Sequence, residues 1–317
     1  MSQVLGYACI NMGFSERPKK QRITTNRSMI KRTFKQRGIR YASELALLNA
    51  RDLLKIVKWN HANDIKLFRI SSDIFPWASE YNIKDMPDYN QIAAVLAETG
   101  AFAKQVGQRL TTHPDHFCKL TSPREHVITN TVRDLEIHGE LMDLLGMPRS
   151  HWAKINIHVG ATYGDKPMAI DNFCRNFDLL SDAVKSRLTV ENDDRDSLYS
   201  TAELVEKIYP RIGTPIVHDI HHHLFTNRGM SQNEAMGLAT STWGDITPVI
   251  HYSESRAKEH NDPKIRPQAH SDMIYDYINT YDHDVHIMIE AKHKELALLH
   301  YRELHNMRNN DLLVEAA

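Results

Sequence analysis

Between Pro215 and His223 the chain reads Pro-Ile-Val-His-Asp-Ile-His-His-His, so one aspartate and four imidazoles fall within the six residues from His218 to His223. Imidazole nitrogens and carboxylate oxygens are the donors that divalent first-row ions take. A β-branched run that ends on such donors reads as a buried strand whose C-terminal end opens onto a metal site. A surface histidine tract or a tag would sit at a terminus among Gly and Ser, whereas this run follows an apolar strand in mid-chain. Other donors close apolar runs in the same way, at His113, His158, Glu191, His251 and Glu290, and the chain holds 19 histidines in all.

An alternation of strands and helices is what could bring such distant donors together. Strand signals fall at 4–10, 67–70, 109–112, 152–158, 188–191, 216–218, 249–251 and 285–290. Helical periodicity covers 49–63, 89–106, 124–145, 168–187, 200–212, 232–241 and 271–281, and a last helix starts near Lys292. Eight such units without a repeat period predict an α/β fold, a single (β/α)8 TIM barrel with its metal site at the C-terminal ends of the strands; a doubly wound sheet of this length needs fewer strands. Strands three to eight end on His113, His158, Glu191, Asp219 with His221 to His223, His251 and Glu290. Any one of these alone reads as a hydrogen-bonded rim residue. Six ends on one rim would bury carboxylates and imidazoles together, a cost that bound cations offset.

The donor set lacks thiolate, which suits Mn²⁺ or Zn²⁺ and suits Mg²⁺ less. More than four donors call for more than one ion. Two or three adjacent divalent ions activate a water and stabilise both oxygens of an in-line displacement at phosphorus. The formal charge of −1 hides an asymmetry: residues 17–40 hold ten basic residues and no acid, leaving 29 basic against 40 acidic residues elsewhere, a balance of −11. This segment reads as a basic loop, 12–41, punctuated by Gly13, Pro18 and Gly38, and its charge points to a nucleic-acid phosphodiester as substrate. No apolar run reaches bilayer length and the N-terminus lacks a signal-peptide layout, so a cytoplasmic protein is expected. Cys9, Cys118 and Cys174 are odd in number and far apart, which argues against a disulfide framework or a thiolate zinc site. One domain over 1–305 and a tail over 306–317 are expected.

Leu5-Gly6-Tyr7, Thr24-Thr25-Asn26-Arg27, Phe68-Arg69-Ile70-Ser71-Ser72-Asp73, His113-Pro114, Glu191-Asn192-Asp193, Asp219-Ile220-His221-His222, His251-Tyr252-Ser253, Arg266-Pro267-Gln268-Ala269-His270-Ser271 and Glu290-Ala291-Lys292 together resemble the UV damage endonuclease family. These motifs run in order over nearly the whole chain. The resemblance implies a barrel related to endonuclease IV and to sugar isomerases. It implies an enzyme that nicks duplex DNA immediately 5′ of a UV photoproduct to start excision repair, using up to three divalent ions, commonly manganese. By position it implies the ligands His113, His158, Glu191, Asp219, His222, His251, His270 and Glu290, with Asp73 as a further ligand or the partner of one. Glu290, Glu191 and Lys292 would be catalytic, and Tyr7, Asn26, Arg27, Arg69, His116 and Phe117 would meet the DNA. His218, His221 and His223 are left as neighbours.

Three departures stand out. Family members often carry a carboxylated, metal-bridging lysine two residues before the strand-seven histidine, where this chain has Val249. The family's lesion-probing Gln-Tyr pair is replaced by His116-Phe117, whose ring can still wedge into a distorted duplex. The basic segment is also heavier than the pattern requires. Tyr7 could stack on a base or fill the barrel mouth, Arg69 could orient a carboxylate or meet phosphate, and Lys292 could meet the scissile phosphate or face solvent. The expected partner is damaged double-stranded DNA, bound by a monomer associated with the nucleoid. Two other readings stay open: a metal-dependent sugar isomerase on the same barrel, which leaves the basic segment without work, and a damage-binding protein whose site has decayed.

Overall fold

The computed structural model describes residues 3–115 and 117–307. Eight parallel strands pair in chain order: β1 Val4–Cys9, β2 Leu67–Ile70, β3 Arg109–Thr112, β4 Ile155–His158, β5 Leu188–Glu191, β6 Ile216–Val217, β7 Val249–Tyr252 and β8 His286–Ile289. β8 returns to β1 with Val4 opposite His286. Between β6 and β7 the ring closes through a bridge of Asp219 to His251, where His251 N–H donates to His218 O at 3.0 Å. The expected (β/α)8 barrel is thus formed. Among the described residues no helix is long and apolar enough to cross a membrane.

Successive strand residues face opposite sides, so each strand sends one set of side chains to the helices and the other into the barrel. Outward, Leu5, Tyr7, Phe68, Ile70, Leu110, Ile250 and Ile287 pack with Leu53, Ile56, Val57, Ile92 and Leu96 of the surrounding helices. Ile155, Ile157, Leu188, Val190 and Ile216 do the same against Phe173 and Phe177. Each such side chain, fully buried, contributes about 1.5–3 kcal/mol. Inward, Ala8, Leu67, Val217, Val249 and Met288 close the lower barrel together with Trp243. β1 fits against β2 because residue 6 is glycine: a Cβ there would lie 2.3 Å from Leu67 O.

The structure departs from the sequence reading in several segments. The basic stretch 12–41 is not one loop, because a helix runs over Lys31–Ala62, starting far before residue 49. Its first turns are rich in Lys, Arg and Gln, which are good helix formers, and Lys31, Arg32, Lys35 and Arg37 face solvent. Gly38, at φ 63°, kinks it. The helix expected over 271–281 is absent. Its backbone N–H groups are taken by side chains instead: Asp272 and Met273 donate to Glu259, Tyr275 and Asp276 to Glu254, and Ile278 to Tyr301 Oη. With its donors committed sideways, the segment cannot build an i to i−4 ladder. The helix expected over 168–187 splits into Lys166–Phe177 and Asp182–Lys185, and that over 200–212 breaks before Pro210. A helix absent from the sequence reading, Ile220–Thr226, carries the three consecutive histidines.

Candidate metal centre

The parity that places Leu67, Val217, Val249 and Met288 inside the barrel places Arg69, Asp219, His251 and Glu290 one step higher, at the C-terminal mouth. β4 and β5 bring His158 and Glu191 into register beside them. Glu191 is the hub. Its Oε2 lies 3.3 Å from His113 Nε2 and 3.9 Å from His158 Nε2, and its Oε1 lies 3.1 Å from His251 Nδ1 and 3.5 Å from His222 Nδ1. Asn156 Nδ2 also donates to Glu191 Oε2. Glu290 Oε1 lies 3.1 Å from His251 Nδ1 and is ion-paired with Arg69.

Three histidines are aimed by one device. His113 Nδ1–H donates to Pro114 O at 2.9 Å, His222 Nδ1–H to Asn192 O at 3.0 Å, and His270 Nδ1–H to Glu290 O at 3.1 Å. A proton held at Nδ1 leaves the Nε2 lone pair as the ligating atom. Asp219 is aimed by a helix end: as N-cap of Ile220–Thr226 its Oδ1 accepts His222 N–H at 2.8 Å, while its own N–H donates to Asn192 Oδ1 at 2.7 Å.

Burial would neutralise both glutamates, but His251 and His158 beside Glu191, and Arg69 and His251 beside Glu290, hold each well below the usual carboxylate range. Burial opposes charge on Arg69 as well, and Glu290 keeps it firmly protonated. Burial, aided by Arg69, pushes His113 down to about 4, which keeps it a neutral donor. His222 goes the other way: against burial, Asp219, Glu191 and Glu290 raise it to about 9.

Asp219 Oδ2, His251 Nδ1, His158 Nδ1 and Asp193 Oδ2 are buried without a hydrogen-bond partner. His251 Nδ1 sits 3.1 Å from one carboxylate oxygen of Glu191 and 3.1 Å from one of Glu290. Unpartnered buried donors of both chemistries are costly unless a cation takes them. Two ligand sets are compact enough, His113 with His158 and Glu191, and Glu191 with Asp219 and His251, their atoms all within 4.8 Å of one another. The donor set fits divalent ions, with Glu191 common to both sets. A cavity of about 410 Å³ opens above them, reaching His270, Glu290, Lys119 and Arg195.

Other residues singled out in the sequence lie elsewhere. Tyr7 is fully buried; its hydroxyl donates to Asn60 Oδ1 at 2.8 Å and its ring packs on Phe68, so it offers no face to a base. Asp73 is exposed, and the charges acting on it are those of Asp115 and His138, not of the cluster. Lys292 faces solvent; the lysine turned toward Glu290 and Arg69 is Lys294, whose pKa is lowered by burial. Arg27 is committed to Asp52 and to the carbonyls of Thr24 and Arg22, and Asn26 accepts from Thr24. Arg69 points inward to Glu290. Phe117 is 70% exposed, in the stretch between Asp115 and Cys118 that both line the cavity, and His116 lies outside the described residues. His218 bonds to Thr201 and Gln232, and His223 to Met230 O.

The sequence reading missed Lys154 and Asn156. Counting back in twos from His158 finds both on the inward face. Val249 fills the apolar floor, and the lysine beneath the centre comes from the other side of the barrel: Lys154 Nζ lies 3.1 Å from His251 Nε2, its pKa lowered by burial to about 7.

The sequence profile of UV-endonuclease UvdE matches residues 3–317. The chain belongs to this family. It is 33% identical over 318 residues to a UV-damage endonuclease of Schizosaccharomyces pombe, covering 96% of this chain and 51% of that protein. It is 30% identical over 302 residues to a UV DNA damage endonuclease of Clostridium perfringens, covering 93% and 69% respectively. The chain spans about half the length of the fungal UvdE relatives it matches. Its structure resembles the crystal structure of SacUVDE with a TM-score of 0.80 at 28% identity, covering 96% of this chain and 99% of that one. Endonuclease IV from Thermus thermophilus matches with a TM-score of 0.54 at 13% identity, over 81% of this chain and 95% of that one, a likeness of fold.

Proposed function

We propose that this chain is a metal-dependent UV damage endonuclease that hydrolyses one phosphodiester bond of duplex DNA immediately 5′ of a UV photoproduct. The observation that carries the reading is the convergence of His113, His158, Glu191, Asp219, His222, His251, His270 and Glu290 on one barrel mouth in a member of the UvdE family. These eight residues would hold two or three divalent ions, manganese before zinc or magnesium. Such ions, when bound, supply Lewis acidity toward phosphate oxygens and lower the pKa of water.

The chain's own residues do the rest. Glu191 and Glu290 stay ionised at neutral pH, so they offer full negative charge to cations and can hold an attacking water as acceptors. Arg69 fixes the Glu290 carboxylate by charge and direction. Lys294, Lys119 and Arg195 stand near enough to balance phosphate charge, the role expected of Lys292. Phe117 is exposed in the stretch between the cavity-lining Asp115 and Cys118, placed to wedge into a distorted duplex, with His116 beside it in sequence. Of the ten cations in 17–40, all but Arg27 are exposed, and the segment leaves β1 at its C-terminal end, on the side of the mouth. Asn26 and Arg27 would serve the DNA by holding this segment in shape. A monomer working on nucleoid DNA in the cytoplasm is sufficient for this chemistry.

Purified protein with Mn²⁺ is expected to nick irradiated duplex, to leave intact duplex uncut, and to stop on chelation. Glu290→Gln is expected to lower nicking by at least about 10³-fold with duplex affinity retained. Equal cutting of irradiated and intact DNA, or turnover of a free ketose, would reject the reading.

A further inference from the structure

Every other donor of the centre lies on a strand or helix or within two residues of the end of one, whereas His270 does not. It lies in the irregular run between the helix Arg256–Glu259 and β8, where another anchor must set its position. The anchor visible there is Glu259. Its side chain is nearly buried, and its two carboxylate oxygens accept consecutive backbone N–H groups, Asp272 at 2.6 Å and Met273 at 2.9 Å. Asp272 is held from its other end by Arg256 at 3.3 Å and His260 at 2.7 Å. Through Asp272 the hold reaches the mouth. His293 N–H donates to Asp272 O at 3.0 Å and Lys292 N–H to Ser271 O at 2.9 Å, tying the run to the end of β8 just past Glu290. On the near side His270 pairs with Ser255 in an antiparallel bridge, with Arg256 N–H to Ala269 O and Ser271 N–H to Glu254 O both at 2.8 Å.

We propose that Glu259 is a positioning residue for the metal centre: by gripping the backbone two and three residues beyond His270 it sets the distance at which His270 Nδ1–H meets Glu290 O and Nε2 faces the ions. The cluster Glu259, His260 and Asp272 has the residue types and spacing of a cation site. Yet Arg256 and two backbone N–H groups already occupy its carboxylates, so it works as a clamp on the peptide chain. A carboxylate is suited to the task because it accepts both N–H groups at once with charge-assisted bonds, which a neutral amide cannot match. The proposal rests on the reading of the mouth as a metal centre.

The test is a double-mutant cycle on Mn²⁺ binding, followed by electron paramagnetic resonance and counted per folded molecule. His270→Ala is expected to weaken one class of Mn²⁺ site by about 10-fold or more, and Glu259→Gln to weaken the same class comparably. The double variant should bind no more weakly than His270→Ala alone, because Glu259 acts through that imidazole. Glu259→Asp, which keeps the charge and shortens the reach, should fall between wild type and Glu259→Gln and serves if the glutamine variant folds poorly. Unchanged Mn²⁺ binding in Glu259→Gln, or losses that add in the double variant, would overturn the assignment. Wild-type protein that binds no Mn²⁺ would instead remove the metal reading itself.

Discussion

His222 sits between Asp219, Glu191 and Glu290, and their charge raises its pKa to about 9 although burial pulls it down. A ligating imidazole must be neutral, so cation binding has to displace this proton at any pH below about 9. The sign follows: affinity for Mn²⁺ should rise with pH through the neutral range and level off above about 9. Calorimetric titrations at pH 7 in buffers of different ionisation enthalpy should report net proton release, with His222 giving up about one proton per centre and His251, whose pKa is raised against burial by Glu191 and Glu290, adding to it. His113, already held neutral by a pKa pushed down to about 4, should contribute none there. Mn²⁺ affinity that stays flat between pH 6 and 9, with no buffer-dependent heat, would mean that His222 is not a ligand.

At the scale of elements, the segment before the long helix shows how a basic surface is given a fixed shape. Asp52, buried on the helix Lys31–Ala62, accepts from Thr24 N–H at 3.1 Å and Arg27 at 2.5 Å and pairs with Lys55 at 2.8 Å. Asp52→Ala would leave a part-buried guanidinium and a buried N–H unmatched, at a cost of about 2–3 kcal/mol. The expected outcome is a lower denaturant midpoint, faster proteolytic cleavage within 17–30 and weaker DNA binding, with the nicking rate at saturating DNA retained. Protease resistance equal to wild type would refute this role. The same contrast marks what could be read from the chain alone. β2, β3 and β5 were legible to the residue because each is a short run of strand-forming residues bounded by polar ones, and His113, His158 and Glu191 stand at or just past strand ends. Tyr7 and Arg27 are held by Asn60 and Asp52, partners distant in sequence that no local pattern records. The run 271–281 has helical spacing in Ile274 and Ile278, but side-chain acceptors on Glu254, Glu259 and Tyr301 took its backbone donors, a competition that no local pattern records. The Nδ1 acceptors that aim His113, His222 and His270 are main-chain carbonyls and leave no trace in residue types.

Across the whole molecule, charge is divided between a basic flank and an acidic body, with residues 17–40 at +10 and the remainder at −11. Two consequences oppose each other. The flank attracts a polyanion, and the body repels it wherever the mouth is not shielded by bound cations or by Arg69, Lys119, Lys294 and Arg195. Productive docking should therefore depend on the exposed cations of the flank more than on net charge. Replacing Lys31, Arg32 and Lys35 with alanine removes three exposed charges from the start of the long helix without touching the centre or the Arg27 anchor. Every phosphate that is no longer neutralised lowers the slope of log Kd against log salt by about 0.9, so the slope should fall by up to about 3. Irradiated and intact duplex should lose affinity by the same factor, since binding to the DNA backbone carries no lesion information. Their ratio in nicking should persist if, as proposed, the lesion is met at the mouth by Phe117 and the ligand cluster. A salt slope equal to wild type would move the duplex off this flank, and a selective loss for irradiated DNA would give the flank a part in recognising the lesion.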